Sequence, residues 1–149
     1  MTRWVVDASV AAKWVAPEPE SPAADTLLGQ TLLAPDLIYA ELANILWKKQ
    51  QRSEMSAAAA DLAARWLQQV PLQVHASAGL MPQALQLAQR LQHPAYDCFY
   101  LALAQQADGV MVTADQRFYR RCQQPDAADL ASRVRLLQVI SGAGEAGWH

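Results

Sequence analysis

An α/β domain, built on a parallel sheet with helices on both faces, is the fold class this chain predicts, and three observations point to it. Short apolar strand candidates at residues 4–6, 31–34, 71–75, 110–113 and 134–139 alternate with helical segments, the order expected when helices connect parallel strands. The length, 149 residues, suits one ordinary domain with a substantial core. Apolar residues make up 52% of the chain and charged residues 17%, a globular composition far from disorder.

Trp4, Val5 and Val6 form a short, fully apolar strand, and residues 7–15 turn into a helix that Pro17 and Pro19 stop. Ser21-Pro22 opens a second helix through Leu28, with Gly29 near its C-terminus. After the strand at 31–34, Pro35-Asp36 starts a third helix carrying Leu37, Ile38, Leu42, Ile45 and Leu46 inward. It ends in Lys48, Lys49 and Arg52, which suits the helix dipole. Ser56 caps an Ala-rich helix to about Gln69 with Leu62, Trp66 and Val70 on one stripe. A strand at 71–75 follows, then a helix at 81–91 with Leu85, Ala88 and Leu91 on one stripe. Pro94 opens an apolar helix that Gly109 breaks, and the strand at 110–113 leads into a short helix at 116–122. A polar loop at 123–128 precedes the last strand. Residues 1–140 are expected to be a single domain, and the Gly-rich stretch 141–149 a mobile C-terminal tail.

Four carboxylates stand where folding alone would not put them. Asp7 ends the first strand and Asp115 follows the strand at 110–113. Ligands in such sheets gather outside the carboxyl ends of the strands. Asp97 interrupts the uncharged apolar helix, and Glu41 lies on a helix among Ile38, Leu42, Ile45 and Leu46. Asp7 or Asp115 alone could be an N-cap, worth about 1 kcal/mol, and Glu41 alone could face solvent. Asp97 is harder to dismiss, because acids are rarely buried unless they are paired or hold a metal.

If all four converge to about 6 Å, each ionised pair repels by roughly 3 kcal/mol at an effective dielectric near 20. The full set then approaches the whole stability of a domain, and only protons or a cation relieve it. An all-oxygen site suits Mg²⁺, with Mn²⁺ as the alternative. Ser9 and Thr113, two residues from Asp7 and Asp115, could orient a carboxylate or a water. Asn44 lies one turn after Glu41 and could orient it. Lys13, Arg117, Arg120 and Arg121 could meet phosphates, although a solvated helix face explains the arginines as well. His75 and His93 read as structural.

The remaining composition excludes more than it selects. A net charge of −2 announces no basic field for nucleic acid. Cys98 and Cys122 are the two cysteines and have no zinc or disulfide spacing. The N-terminus lacks the apolar run of a signal peptide, and no segment approaches the roughly 20 apolar residues of a membrane span. A cytoplasmic protein with no membrane partner is expected.

Four segments then carry a likeness. They are Val5-Val6-Asp7-Ala8-Ser9-Val10-Ala11-Ala12-Lys13-Trp14, Ala40-Glu41-Leu42-Ala43-Asn44-Ile45-Leu46-Trp47-Lys48, Ala95-Tyr96-Asp97-Cys98-Phe99-Tyr100-Leu101-Ala102-Leu103-Ala104 and Val112-Thr113-Ala114-Asp115-Gln116-Arg117-Phe118. In this order they resemble the PIN-domain ribonucleases, in particular the VapC-type toxins of type II toxin–antitoxin systems. The resemblance implies a PIN-like parallel sheet of about five strands between helices. It also implies that Asp7, Glu41, Asp97 and Asp115 form the acidic quartet that holds Mg²⁺, with Thr113 and Ser9 as supporting hydroxyls. The implied activity is metal-assisted hydrolysis of RNA phosphodiester bonds, and the implied partners are an RNA substrate, a small antitoxin protein and a second copy in a homodimer. Two rivals stand beside it. One is a phosphatase with Asp7 as nucleophile, which would usually place an acid where Ser9 stands. The other is a catalytically idle module that binds RNA or protein.

Overall fold

The structure, a computed structural model, describes residues 1–138. The strands β1 (Trp4–Val6), β2 (Leu32–Pro35), β3 (Gln73–His75), β4 (Val110–Thr113) and β5 (Val134–Leu136) form one sheet in the order β3-β2-β1-β4-β5. Every pairing is parallel. The expected end of the last strand at Val139, the boundary at 140 and the tail at 141–149 lie outside the described residues.

The central strands are apolar because both of their faces are covered. β1 and β2 are buried at every position, and β4 is buried at all but Val110. Parallel sheets buried this way need continuous apolar runs rather than alternation. At the edges the demand relaxes: β5 alternates, and β3 is exposed throughout. A three-residue strand is a short template, which limits unwanted edge pairing.

The helices are α1 (Ala8–Ala11), α2 (Ser21–Asp25), α3 (Leu37–Gln51), α4 (Ala57–Gln69), α5 (Met81–Leu91), α6 (Ala95–Gln106) and α7 (Gln116–Cys122). α6 packs against β1, β2 and β4, and α5 lies along it. Cys98 and the run from Tyr100 through Ala104 are buried there, so this helix is apolar nearly all round. Gly109 joins α6 to β4. A Cβ at that position would sit 2.6 Å from the Arg3 carbonyl oxygen, the same oxygen that accepts from Val110 N at 2.9 Å. Only glycine lets β4 start this close to β1.

Two expected stripes hold only in part: Val70 and Leu91 are buried and Ala88 is partly buried, but the other large residues face outward. In α4 the buried residues are Ala60, Ala63 and Leu67, while Leu62 and Trp66 are exposed. In α5 they are Ala84, Leu87 and Leu91, while Leu85 is exposed. Small alanines face inward because they let a helix approach its neighbour closely. α2 is also shorter than expected, ending at Asp25 before a turn that reaches Gly29 at φ +92°. The Ser56 cap is present, its Oγ accepting from Ala59 N at 3.1 Å.

Candidate active site

The sheet order reverses at β1. From it the chain moves outward to β2 and β3, then returns to add β4 on the other side. Connections that part in opposite directions leave a crevice at the carboxyl ends of β1 and β4, where α/β proteins bind ligands. Val6 is in register with Val112, and Asp7 N donates to Val112 O at 3.1 Å. Asp7, Thr113 and Asp115 therefore share one crevice.

Asp7 occupies the N-cap position of α1, but its side chain caps nothing. Its Oδ2 instead accepts from Ser9 Oγ at 2.9 Å and from Thr113 Oγ1 at 2.8 Å. Those hydroxyls are themselves held: Ala114 N donates to Ser9 Oγ at 3.1 Å, and Asp115 N donates to Thr113 Oγ1 at 3.1 Å. Both protons thus point at one carboxylate oxygen. Asp7 is only 4% exposed, and its Oδ1 has no donor among the described residues. Asp115 does cap its helix, since Oδ1 accepts from Phe118 N at 3.2 Å. It serves the fold with one oxygen and leaves the other for the crevice.

Asp97 and Glu41 come from helices rather than strand ends. α5 closes at Gln92, which takes the left-handed conformation at φ +50°, and His93 N donates back to Ala88 O at 3.2 Å. Pro94 then presets the start of α6, so Asp97 falls in its first turn. His93 Nε2 lies 2.7 Å from Asp97 Oδ2. Tyr100, one turn beyond Asp97 and fully buried, donates its hydroxyl to Glu41 Oε1 at 2.6 Å. Asn44 shares a groove with Glu41, but the hydrogen bond that positions Glu41 comes from Tyr100.

The electrostatics show that the acids feel one another. Burial pushes Asp7 up to about 7, aided by the charges of Asp97 and Glu41 and opposed by the Thr113 and Ser9 hydrogen bonds. Burial raises Asp97 as well, with the charge of Asp115 adding to it against the His93 hydrogen bond. Glu41 is raised by burial and by Asp97, against the bond from Tyr100. Burial and the surrounding acids keep the Tyr100 phenol protonated. Among the described residues no Lys or Arg forms an ion pair with any of the four.

This donor set fits a divalent cation. The oxygen of Asp7 without a donor, in a buried crevice of repelling carboxylates, is left at a cost that a cation would remove. One ligand atom each from His93, Asp97 and Asp115 also lie within 4.8 Å of one another.

The basic residues are placed unequally. Arg117 and Arg120 are exposed and line a groove of about 300 Å³ beside His93. Arg121 reaches the same groove, but its guanidinium is held by both oxygens of Asp126 and by Leu91 O. Lys13 is paired with Glu18 and Glu20. A second groove, about 550 Å³, runs past Glu41 and carries Leu37, Asn44, Tyr96 and Phe99.

Sequence reasoning read His93 as structural and gave Tyr100 no role, whereas each meets one of the acids. The four-residue spacing from His93 to Asp97 is a helical one and could have pointed to the first. Tyr100 offers no such signal, because a tyrosine in an apolar helix is ordinarily core. No helix among the described residues is long and apolar enough to cross a membrane.

A parallel sheet with acids gathered about the carboxyl ends of its central strands defines a class, and the PIN domain family pattern matches residues 4–123. The chain belongs to that family. Its likeness extends to VapC proteins: it is 34% identical over 120 residues to Ribonuclease VapC3 of Pyrobaculum aerophilum, covering 76% of this chain and 89% of that one. Solved structures agree on the fold. One protein from Pyrobaculum aerophilum superposes with a TM-score of 0.64 at 22% identity, over 80% of this chain and 79% of that one. VapC20 of Mycobacterium tuberculosis, described as a sarcin-ricin loop cleaving toxin, gives 0.62 at 17% identity, over 78% and 93%. VapBC2 of Rickettsia felis, bound to a promoter DNA fragment, gives 0.57 at 14% identity, over 83% and 94%.

Proposed function

We propose that this chain is a divalent-metal-dependent endoribonuclease, hydrolysing RNA phosphodiester bonds as the toxin of a toxin–antitoxin pair. Membership of the PIN family and likeness to a ribonuclease support the reaction class. The observation that carries the reading is Asp7, a buried carboxylate with an oxygen lacking any donor among the described residues, set among three acids without Lys or Arg partners.

Asp7, Asp97 and Asp115 would hold Mg²⁺, or Mn²⁺ as the alternative, with Glu41 acting through water or beside a second ion. A cation held there supplies Lewis acidity, making water a better nucleophile and offsetting charge on the phosphate. The protein's own part is positional. Ser9 and Thr113 lock one oxygen of Asp7 and so aim the other. Tyr100 fixes Glu41, and His93 stands within hydrogen-bond distance of Asp97. Arg117 and Arg120, the two least engaged of the four basic candidates, would hold RNA phosphates beside the crevice. The test is RNA cleavage by the full chain with EDTA, with Mg²⁺ restored, and with Asp97→Asn. Cleavage should vanish in EDTA, return with Mg²⁺ and be absent in the variant; cleavage that EDTA leaves untouched defeats the proposal.

A small antitoxin would silence the enzyme by placing a basic side chain against the acids. An Arg fork satisfies two carboxylates at once. Flanking apolar side chains could seat in the groove of about 470 Å³ between α3 and α4, which Tyr39, Leu42, Leu46 and Leu67 line. Co-purification with the product of the neighbouring reading frame, then Arg→Ala in that partner, tests this. A complex that still forms and still spares RNA would mean plain steric blocking. A homodimer is the expected assembly, to be measured by sedimentation.

A further inference from the structure

One nitrogen stands among the carboxylate oxygens of the crevice. His93 Nε2 stands 2.7 Å from Asp97 Oδ2, on a side chain only 10% exposed. The ligand atoms of His93, Asp97 and Asp115 fall within 4.8 Å of one another. They come from three different places: the turn after α5, the first turn of α6 and the N-cap of α7. The imidazole packs against Phe118, with ring centroids 4.8 Å apart, so it is held toward the acids rather than free to swing away. Among the described residues its one hydrogen-bond partner is Asp97 itself.

Mg²⁺ is a hard ion that prefers oxygen and keeps its waters, so an imidazole adds little to its binding. Mn²⁺ and the first-row ions that follow it accept nitrogen more readily. We propose that His93 is a nitrogen ligand of this centre, acting with Asp97 and Asp115, and tilts its preference from Mg²⁺ toward Mn²⁺ and the heavier first-row divalent cations. This rests on the metal-centre reading above but not on the identity of the RNA. The competing role, orienting Asp97 without touching the ion, would weaken both metals alike.

The experiment reads metal binding without RNA. MnCl₂ is titrated into the full chain while free Mn²⁺ is followed by electron paramagnetic resonance, and MgCl₂ then competes. The parent should favour Mn²⁺ by about tenfold or more. His93→Gln, whose amide can keep a hydrogen bond to Asp97, should lose roughly tenfold in Mn²⁺ affinity while Mg²⁺ changes by less than about threefold. A second measurement needs no variant: pulsed resonance on the Mn²⁺-loaded parent, with isotopically labelled histidine, should show a directly bound nitrogen that responds to the label. Equal losses for both metals, or no nitrogen coupling, overturn the assignment and leave the metal centre standing. A parent chain that binds neither Mn²⁺ nor Mg²⁺ overturns both.

Discussion

The two oxygens of Asp7 divide the work of the crevice between them, one tied to Ser9 and Thr113, the other without a donor among the described residues. That asymmetry makes a pH prediction. Burial and neighbouring charges raise the folded pKa of Asp7 from 3.8 to about 7, and Asp97 and Glu41 move in the same direction. Between those two values Asp7 holds more proton in the native protein than in the unfolded chain, so the contribution of this site to metal-free stability is full below about 3.8 and falls as pH rises toward about 7. Thermal melts in EDTA from pH 5 to 8 should show this decline for the parent and a shallower one for Asp7→Asn. An identical slope in both would count against the assignment. Asp97→Asn belongs to the same logic. Removing one of several repelling charges should leave the metal-free melt unchanged or raise stability by about 1–2 kcal/mol, while cleavage is lost. An unfolded variant, or one with full activity, would show that Asp97 has another role. The four acids stood out in the sequence because charge in apolar surroundings demands a reason. The partners did not. Whether His93 or Asn44 meets a carboxylate depends on side-chain directions that spacing alone does not choose, and the bond to Glu41 comes from Tyr100, 59 residues away.

Among the elements, periodicity located each helix but did not always select its inner face. In α4 and α5 the buried stripes, Ala60-Ala63-Leu67 and Ala84-Leu87-Leu91, overlap the expected ones only toward the helix ends, where Leu91 is shared and Val70 is buried just beyond α4. Alanine is apolar enough to stand on either side, and close helix packing favours the smaller residue inward. Boundaries were clearer where a residue's covalent chemistry dictates them, as at Ser56, Pro94 and Gly109. Two substitutions test such positions. Gly109→Ala brings a Cβ within 2.6 Å of a backbone oxygen and should destabilise the protein by about 1–3 kcal/mol. Gln92 is an exposed residue in the left-handed region at the end of α5, so Gln92→Gly should stabilise by roughly 0.5–1 kcal/mol. Urea unfolding measures both. A neutral Gly109→Ala would mean that β1 and β4 can separate at their start, and the register that brings Asp7 beside Thr113 would be softer than drawn.

At the scale of the whole molecule, the alternation of strands and helices made a parallel sheet legible, but not its order. The same pattern is compatible with β4 on either side of the sheet. In the order β3-β2-β1-β4-β5 it is the pairing of β1 with β4 that puts Asp7 and Asp115 into one crevice. The net charge of −2 likewise hides a local arrangement: acids fill the crevice while Arg117 and Arg120 stand open beside it. If these arginines hold an RNA strand as proposed, each phosphate contact on a single strand contributes about 0.7 to the slope of log affinity against log salt. Replacing both arginines with Ala should weaken binding of a single-stranded RNA and lower that slope by about 1.4. Fluorescence anisotropy with an Asp7→Asn background, expected to remove cleavage, would measure it. Lys13→Ala and Arg121→Ala serve as contrasts, since Glu18, Glu20 and Asp126 already engage those cations, and both should change the slope by less than about 0.5. If the contrasts lower the slope as much as the open pair does, the ion pairs open when RNA arrives, and the strand runs across the far side of α1 as well as along α7.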